Sequence, residues 1–390
     1  MTAERKYLLA VNGGSSSLKT GLFTLERGEI VLSAQVSGIG GKDGYLVISK
    51  NKDIIHEHRT SYSDAKEALA AIINWLGVHP EYPVAAIGHR LVQGGLQHRE
   101  PEIIDDNIIH ALQELIHLAP NHLPASLELI RQCGVSFPGR QQVACYDTCF
   151  HKDLPAQARH FAIPRALREE GVIRYGFHGL SYEYITGLLK ERNYGNYERL
   201  IIAHLGNGCS MSAVKHGVSV DTTMGMTPTG GLVMGTRTGD LDPGVLMYLL
   251  RRKGLGAGEL EDLINRHSGL EGLSGNGHDV KDLLEREVRD EDAAEALTMF
   301  CYQAKKFIGA LVAALGGLDM LVFTGGIGEN AAVIRSRILE GLGFMGMRID
   351  EVRNRTGEED ISSGDGSVKV LVLKTDEEVM IARHTIRLIS

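Results

Sequence analysis

Hydrophobic and polar positions follow two different periods along this chain. Short apolar runs typical of strands alternate with longer segments in which apolar residues recur with the helical period of about 3.6. The run at residues 7–11 and the run that follows Lys19 predict two strands joined as a hairpin. Residues 64–76 predict an amphipathic helix with Ser63 as its N-cap, and residues 292–315 predict one long apolar helix. Such alternation indicates the α/β class.

Several predicted strands end at glycines or at polar side chains. Strands over 84–87 and 143–146 lead into Arg90 and Asp147. Backbone that turns on glycine at the end of a strand can approach a ligand closely, so these strand ends are candidate binding positions. The remaining predictions are a strand over 320–323, helices over 106–118, 124–132 and 330–340, and a polar loop over 354–367.

The N-terminal hairpin is repeated later in the chain. Residues 200–214, LIIAHLGNGCSMSAV, show the same order of strand, glycine turn, small hydroxyl residues and strand as residues 8–23. Two such hairpins predict a duplicated domain with a cleft between the copies. A third glycine turn, TGGIGEN at 324–330, is expected to open a helix at 330–340, and the N–H groups of a helix N-terminus suit a nucleotide phosphate.

The segment GGSSSLKT, residues 13–20, is similar to a Walker phosphate-binding loop but does not complete it. Leu18 stands where that loop has its second glycine, and a strand rather than a helix follows Lys19. Taken alone, the segment fits a plain surface hairpin or a different phosphate device, in which hydroxyls and backbone N–H groups bind phosphate oxygens. Together with the other two glycine turns, it predicts a nucleotide phosphate site.

The composition and charge of the chain argue against several classes of protein. The 390 residues suggest two domains, and the 47 glycines fall in discrete turns after apolar strands. The net charge of −8 gives no basic footprint for nucleic acid, and no apolar run approaches the ~18 residues of a membrane span. The five cysteines are scattered and odd in number, and no signal-like apolar stretch begins the chain. We therefore expect a cytoplasmic protein without nucleic-acid or membrane partners.

Nine segments of the chain, in order and in spacing, resemble the acetate kinase family. They are VNGGSSSLK, GHRLVQGG, APNHLP, YDTCFH, IRYGFHGLS, AHLGNGCS, SVDTTMGMTPTGGLVMGTRTGDLDPG, FTGGIGEN and KTDEEVMIA. One segment alone would be weak, but nine in register over nearly the whole length are specific. The resemblance implies two ribonuclease-H-like domains of the actin-like ATPase superfamily with a nucleotide cleft between them. Residues 1–150, joined by a C-terminal helix at 377–390, are expected to form the first, and residues 151–376 the second.

The resemblance also implies an activity. The family transfers a phosphoryl group reversibly from ATP to acetate, forming acetyl phosphate and ADP. Its metal is Mg²⁺, with Mn²⁺ as a possible substitute, and its members are usually homodimers. GGSSSLK then corresponds to the first phosphate hairpin of the superfamily rather than to a Walker loop.

Four residues of the matching segments are implied to carry the chemistry. An anionic acceptor brought against an anionic phosphate needs charge neutralisation and alignment, which the planar fork of arginine supplies. By resemblance, Arg90 holds the carboxylate, Arg237 stabilises the transferring group and His178 donates to a phosphoryl oxygen. Asp147 matches the catalytic aspartate of the family. Because the acceptor is already ionised, we expect Asp147 to orient Arg237 or a magnesium-bound water rather than to act as a base. The alternatives are loop arginines, a core histidine and a strand-end carboxylate without a function.

Metal and nucleotide positions are also implied by the resemblance. Asn12 and Glu377 match the metal-associated positions, and Glu378 is adjacent to Glu377. Asp240 and Asp242 look like a metal pair, but Asp242 followed by proline fits a helix N-cap better. The implied nucleotide contacts are Lys19, His204, Leu205, Gly206, Asn207, Gly208, Asp279, Val280, Lys281, Gly325, Gly326, Ile327, Gly328, Glu329 and Asn330.

The acyl pocket is expected to contain Val92, Asn121, Phe177 and Pro228. Asn121 falls where the family presents an apolar wall, so an amide there predicts a wetter pocket that discriminates poorly between acyl lengths. The alternative is a local backbone shift that turns Leu123 into the pocket and Asn121 into solvent. Two further departures from the family are Gln93 in place of a histidine and Lys281 in place of an arginine. The second is expected to weaken stacking on adenine.

Three other functions compete with acetate phosphorylation. Propionate kinase is the nearest, because the same motifs serve it. An ATP-driven binding protein of chaperone type would require a separate peptide-binding domain, for which the chain leaves no room. A sugar kinase would require a carboxylate base for a neutral hydroxyl, whereas two arginines in the acceptor site favour an anionic acceptor.

Overall fold

The computed structural model describes residues 6–14, 16–195 and 197–390. The packing of Cα atoms divides the chain into two units. The first contains the described residues up to Cys149, together with Gly179–Tyr184 and Asp376–Ser390. The second contains Phe150–His178 and the described residues of Ile185–Thr375.

Strands and helices alternate along the described residues. The strands are β1 Tyr7–Gly13, β2 Ser17–Thr24, β3 Ile30–Ser37, β4 Tyr45–Lys50, β5 Asp53–Arg59, β6 Val84–Leu91, β7 Glu102–Ile103, β8 Gln141–Tyr146, β9 Arg199–Leu205, β10 Cys209–Lys215, β11 Val218–Thr222, β12 Met320–Thr324 and β13 Lys369–Val372. The α-helices are α1 Ala65–Gly77, α2 Asp106–Glu114, α3 Leu123–Ser136, α4 Ala156–Arg159, α5 Arg165–Glu169, α6 Gly179–Glu191, α7 Pro243–Arg252, α8 Ala257–Arg266, α9 Gly269–Ser274, α10 Val280–Arg286, α11 Glu291–Leu315, α12 Gly325–Asn330, α13 Ala332–Leu339, α14 Glu351–Thr356 and α15 Glu377–Ile389. Short 3₁₀ segments lie at Leu115–Leu118, Asp147–His151 and Leu342–Met345.

The sheets of the two units share a topology. Strands of the first unit have the order β5-β4-β3-β2-β1-β6-β8-β7, and those of the second have the order β11-β10-β9-β12-β13. In the first sheet, β3, β2 and β1 are antiparallel neighbours, and β6 and β8 run parallel to β1. In the second sheet, β11, β10 and β9 are antiparallel neighbours, and β12 and β13 run parallel to β9. The five-strand order third-second-first-fourth-fifth therefore occurs twice. This repetition extends the hairpin repeat of the sequence to whole sheets.

The central strands of the first sheet are covered on both faces. Leu9 and Val11 of β1 lie in a core with α1 and α3, whereas Leu8 and Ala10 lie in a core with α15. Alternate residues of a strand point to opposite faces, so β1 needs apolar residues at every one of these positions. The same burial seats α15 on β1, β6 and β8.

The sequence predicts the N-caps of two helices, α1 and α7. The predicted helix at 64–76 is α1, but its N-cap is Asp64 rather than Ser63. The Asp64 carboxylate accepts from the Glu67 N–H at 2.9 Å, while the Ser63 N–H donates to the Glu67 carboxylate at 2.8 Å. An ionised acceptor also complements the positive end of the helix dipole, which favours Asp64. Asp242 is the N-cap of α7, as predicted.

The segment TGGIGEN differs from its prediction. Its glycines already form α12, and the helix expected over 330–340 is α13, which begins at Ala332. Gly325 permits this because its φ of 78° is left-handed and a β-carbon there would lie 2.7 Å from the Leu205 carbonyl oxygen. The loop predicted over 354–367 also begins inside a helix, because α14 continues to Thr356.

Replacement of Gly88 by alanine is expected to lower the free energy of unfolding by about 1–3 kcal/mol. A β-carbon at Gly88 would lie 2.3 Å from Thr385 Oγ1 and 2.5 Å from Ile381 Cγ2, so α15 would have to move away from β6. Gly77→Ala is the matched control, because a β-carbon at Gly77 meets nothing within 4 Å. Urea titration measures both variants, and equal stabilities would show that the packing of α15 tolerates the methyl group.

Candidate functional site

Arg90 and Asp147 meet at the ends of neighbouring parallel strands in the first unit. Arg90 lies in β6 opposite Cys145 of β8, and Asp147 directly follows β8. Arg90 Nε lies 3.1 Å from both carboxylate oxygens of Asp147, and Nη2 lies 2.7 Å from Oδ2. The Asp147 side chain is fully buried, and that of Arg90 is 14% exposed. The two form a buried bidentate ion pair, in which neither charge tolerates the loss of its partner.

Arg90 also contacts β1 and the first turn of α15. Arg90 Nη1 donates to Asn12 Oδ1 at 3.1 Å and lies 3.6 Å from Glu377 Oε2. The Asn12 amide donates to Glu377 Oε2 at 2.9 Å and to Glu378 Oε1 at 2.7 Å. We call this hydrogen-bonded group the Arg90 cluster; it contains Asn12, Arg90, Asp147, Glu377 and Glu378.

Carboxylates outnumber cations at the Arg90 cluster. Burial alone would lower the pKa of the Arg90 guanidinium, but its carboxylate neighbours outweigh burial and raise that pKa. Burial and then the charge of Glu377 raise the pKa of Glu378, and burial raises the pKa of Asp376, the N-cap of α15. Lys19 opposes both of these shifts. Burial destabilises the ionised form of these carboxylates, so the binding of a further cation beside them would be favourable.

Lys19 lies beside the Arg90 cluster. It stands opposite Asn12 across the β1–β2 pair and is exposed. With Asp376 and Glu378 it lines a cavity of about 450 Å³ whose floor is formed by β2, β3 and β4. The predicted phosphate-contacting lysine therefore borders an open space of the first unit.

Predicted acyl residues of the first unit lie in different environments. Val92 is buried, whereas Asn121 is exposed in the turn before α3. Leu123 is fully buried in the apolar core of α2, α3 and β8. Gln93 is also fully buried; its Oε1 accepts from the Gly95 N–H at 2.9 Å, and its Nε2 lacks a hydrogen-bond partner among the described residues. The contact of Asn121 with an acyl group stays a prediction.

His178 lies beside the hairpin β9–β10 in the second unit. Its φ of 57° is left-handed, which is uncommon for a residue with a side chain, and it is the N-cap of α6. Its Nδ1 lies 2.7 Å from Ser210 Oγ, and its ring stacks on that of His204 with 4.3 Å between centroids. Both strands of the hairpin therefore fix the orientation of the imidazole.

Glycines leave room between the polar side chains of this hairpin. A β-carbon at Gly208 would lie 3.2 Å from His178 Nε2 and 3.7 Å from Arg237 Nη1, so both nitrogens border the space that this glycine leaves. A β-carbon at Gly206 would lie 3.8 Å from the Gly326 nitrogen at the start of α12. The second unit thus brings His178, Arg237, the predicted segment His204–Gly208 and the first residues of α12 together.

Phe177 and Pro228, the acyl residues predicted in the second unit, are both buried next to this group. Phe177 directly precedes His178. The Pro228 carbonyl accepts from Arg237 Nη1 at 3.0 Å. Their contact with an acyl group also stays a prediction.

Two predicted nucleotide segments use their polar side chains to hold their own backbone. Glu329 Oε1 accepts from the Gly325 N–H at 3.0 Å, and the Asn330 amide donates to the Gly326 carbonyl at 2.9 Å. At the start of α10, Asp279 accepts from the N–H groups of the first turn, while Val280 is buried and Lys281 is exposed. These side chains shape the backbone of α12 and α10, and their contacts with nucleotide stay predictions.

Comparison with known protein families matches residues 7–383 to the acetokinase family. The chain belongs to the acetokinase family. Two similar proteins are the acetate kinase of Methylocella silvestris, 42% identical over 98% of each chain, and that of Rhodopseudomonas palustris, 41% identical over 98% of each chain. Their full coverage shows that family membership applies to both units of the chain.

Solved structures of acetokinase-type enzymes resemble this fold along its whole length. Porphyromonas gingivalis acetate kinase has a TM-score of 0.86 and 35% identity, with 99% of this chain and 100% of that chain covered. A propionate kinase from Francisella tularensis has a TM-score of 0.91 and 35% identity, covering 98% and 100%. The predicted fold class, duplicated actin-like α/β domains, is confirmed. In the described part of the chain, no helix is both long and apolar enough to cross a membrane.

Sequence analysis missed the residues that support the predicted ones. Ser210 holds the His178 ring, and its only signal was the small hydroxyl residues that follow the second glycine turn. Glu378 joins the Arg90 cluster, although it was predicted only to be adjacent to the metal-associated Glu377. No repeating pattern in the sequence predicts either contact, because each depends on which strand or helix packs beside the residue.

Stability is expected to fall in acid because of His89. This histidine precedes Arg90 in β6, is 2% exposed and donates from Nε2 to Gln142 Oε1 at 2.6 Å. Burial lowers the pKa of His89 from 6.5 to about 4. The unfolded chain therefore binds more protons between these values, so this contribution to stability is complete above pH 6.5 and lost as pH falls to about 4. It amounts to at most about 3 kcal/mol.

Urea unfolding measures this contribution at pH values between about 4.5 and 7.5, the range in which histidine titrates. His89→Gln keeps a polar side chain but removes the titrating group, so its stability should depend less steeply on pH than that of the wild type. His110→Gln, at an exposed position of α2, should leave the slope unchanged. Equal slopes in all three proteins would contradict the prediction.

Proposed function

We propose that this protein catalyses reversible phosphoryl transfer from ATP to acetate, forming acetyl phosphate and ADP. The observation that carries this proposal is the Arg90 cluster in a chain of the acetokinase family. Acetate is an anion that must be held against the anionic phosphates of ATP, so the acceptor site needs a cation in a fixed position. The buried Asp147 carboxylate holds Arg90 in such a position.

Arg90 retains donors for an acceptor carboxylate. A guanidinium carries one N–H on Nε and a pair on each terminal nitrogen. The bonds to Asp147 and Asn12 use the Nε hydrogen and one hydrogen on each terminal nitrogen. One N–H therefore remains without a hydrogen bond on Nη2 and one on Nη1, where Glu377 Oε2 lies 3.6 Å from the nitrogen. Such N–H groups suit the oxygens of a carboxylate.

The residues around Gly208 are proposed to act on the transferring phosphoryl group. His178 Nε2 and Arg237 Nη1 border the same space and are both suited to donate to phosphoryl oxygens, where charge develops in the transition state. The backbone of His204–Gly208, the start of α12 and Lys19 are proposed to hold the phosphates, and Asp279–Lys281 to lie along the adenosine. Asp147 is proposed as the residue that positions Arg90, and a further role toward Arg237 or a magnesium-bound water stays a prediction.

Mg²⁺ is proposed as the metal, with Mn²⁺ as a substitute. The Arg90 cluster offers oxygen donors from Asn12 and Glu377, and its surplus of carboxylates suits a hard cation. The described residues contain no group of three or more His, Cys, Asp or Glu side chains placed to hold a metal. Mg²⁺ commonly needs only one or two carboxylates, with waters and substrate phosphates completing its shell, so the residues present fit this ion. Bound there, it would neutralise charge on the nucleotide phosphates.

Propionate kinase activity is the second candidate. The observation that favours it is the TM-score of 0.91 to a propionate kinase. The acyl residues predicted from the sequence are apolar except Asn121, and one additional methylene is worth about 1–3 kcal/mol in a well-fitting apolar pocket. The ratio of kcat/KM for acetate and propionate decides between the two.

A hydroxamate trap tests the proposed function. With ATP, Mg²⁺ and hydroxylamine, the protein should produce acethydroxamate from acetate, and parallel reactions with formate, propionate and butyrate give the acyl preference. Arg90→Lys and Asp147→Asn should each lower kcat/KM by about 100-fold or more, because lysine lacks the planar fork and asparagine leaves the Arg90 charge unpaired.

Arg165→Lys is the matched control, since the Arg165 side chain is 83% exposed. Circular dichroism and urea titration should show that each variant is folded. A folded Arg90→Lys protein with nearly normal activity would rule out the assigned role of Arg90. A wild-type protein that forms no acyl phosphate from any of the four acids would rule out the function.

We propose that the protein is a homodimer in which helix α7 lies at the interface. None of the residues of α7 is buried, and its apolar side chains are unusually open: Val245 is 42% exposed, Met247 40% and Tyr248 52%. Apolar side chains at this density on one short helix need a partner surface. A second copy of the chain fits, because the family resemblance implies a homodimer.

Light scattering after size exclusion tests the homodimer. Tyr248→Glu should convert the protein to a monomer, because the carboxylate would be buried against an apolar surface. Val288→Glu, at a position that is 86% exposed outside α7, should leave the dimer intact. A wild-type protein that elutes as a monomer at micromolar concentration would contradict the proposal.

A cytoplasmic location and the domain limits given by the sequence complete the proposal. The five cysteines are scattered and odd in number, which supports a reducing compartment. The proposed domains are residues 1–150 with the helix at 377–390, and residues 151–376.

A further inference from the structure

His151 is a buried histidine of the second unit to which the proposed reaction gives no role. It is 2% exposed and ends the 3₁₀ segment that begins at Asp147. Its Nε2 lies 3.1 Å from the Phe177 carbonyl oxygen, and its Nδ1 lies 2.8 Å from Ser219 Oγ. Because a carbonyl only accepts, Nε2 carries the proton and donates to Phe177. Burial lowers the pKa of His151 to about 4, so at neutral pH Nδ1 is unprotonated and accepts from the Ser219 hydroxyl.

The ring of His151 packs on the backbone that leads to His178. A β-carbon at Gly176 would lie 2.5 Å from His151 Cδ2, so the ring occupies the space that a side chain would need. Gly176 has a φ of 75° and His178 a φ of 57°, so two left-handed residues flank Phe177. For a residue with a side chain such a conformation is unfavourable and persists only where the surroundings impose it. The bond to the Phe177 carbonyl lies between these two residues.

The support of His151 comes from the same strands that hold the His178 ring. Ser219 of β11 lies 3.1 Å from Ser212 Oγ of β10, and the Ser212 hydroxyl also reaches the Asp221 carbonyl at 3.3 Å. Two residues before Ser212 on the same strand, Ser210 contacts His178 Nδ1. The backbone of His178 and its ring are therefore both tied to the β10–β11 pair.

We propose that His151 is a positioning residue for His178: its Nε2 proton, donated to the Phe177 carbonyl, holds His178 left-handed with its Nε2 toward Gly208. This inference rests on the proposed role of His178 in phosphoryl transfer. It requires that the hydrogen bond to Phe177, and not only the volume of the ring, is needed for full activity.

A pair of amide substitutions separates the hydrogen bond from the volume. The terminal amide of His151→Gln reaches about as far as imidazole Nε2 and can donate to Phe177. The amide of His151→Asn reaches only about as far as Nδ1 and cannot. His151→Asn should lower kcat by about 10- to 100-fold with KM for ATP nearly unchanged, because small misplacement of a catalytic group carries this penalty. His151→Gln should stay within about fivefold of the wild type.

Histidine NMR gives a readout that does not depend on activity. With ¹⁵N-labelled histidine, the ring resonances of His178 should move in His151→Asn and stay near their wild-type positions in His151→Gln. Should the protein transfer no phosphoryl group, the proposed function fails, and these resonances still test the positioning. Ser219→Ala provides a milder variant if His151→Asn does not fold; it should move the same resonances.

Equal kcat in His151→Asn and His151→Gln would overturn the proposal, whether both are active or both are impaired. Unchanged His178 resonances in a folded His151→Asn protein would overturn it as well. If only the milder variant folds, unchanged His178 resonances in Ser219→Ala have the same consequence.

Discussion

The buried Arg90–Asp147 ion pair constrains how strands β6 and β8 meet at one edge of the first sheet. Charges removed from water are stable only when each has its partner at a fixed distance. Two neighbouring parallel strands provide that distance, because their carboxyl ends lie at the same edge of a sheet. Helix α15 packs on both strands and brings Glu377 to the same edge. The register of β6 against β8 therefore sets the geometry of the charges, and a slip of one residue would turn Arg90 to the other face.

In the second unit, a different physical constraint fixes the positions of the polar side chains. Its sheet has the same strand order, but its polar residues are placed by backbone conformation rather than by an ion pair. His178 is left-handed, and Gly208 has no side chain in the space between His178 and Arg237. A β-carbon at Gly208 would lie 3.2 Å from the imidazole, so a side chain there would crowd the ring. The duplicated topology thus supports two unlike polar groups, one held by a buried ion pair and one held by backbone conformation.

Much of this organisation follows from sequence patterns that extend over several residues. The hairpins, the long helix α11 and the strand that ends before Asp147 each have a period or a glycine signal, and the structure places them where the sequence predicts. The strand predicted over 84–87 is longer than expected, because β6 continues to Leu91 and includes Arg90. The capping of α1 by Asp64 and the helical character of TGGIGEN were not predictable in this way, because each depends on one local competition between hydrogen bonds. Contacts between distant segments were also missed. Arg90, 57 positions away, is a hydrogen-bonding partner of Asp147, and no spacing along the chain indicates this contact.

The partner of Asp147 bears on the chemistry that this residue can perform. Both of its oxygens lie within 3.1 Å of Arg90 donors. A proton accepted by Asp147 would cancel the charge that stabilises the buried guanidinium, and breaking a buried pair in this way costs about 3–5 kcal/mol. That cost opposes a role as general base, and an ionised carboxylate substrate offers no proton to accept. The same pairing suits a positioning role, because Asp147 fixes the plane of the guanidinium while leaving hydrogens on Nη1 and Nη2. The structure therefore shows Asp147 fixing the orientation of the Arg90 guanidinium, as the proposed positioning role requires.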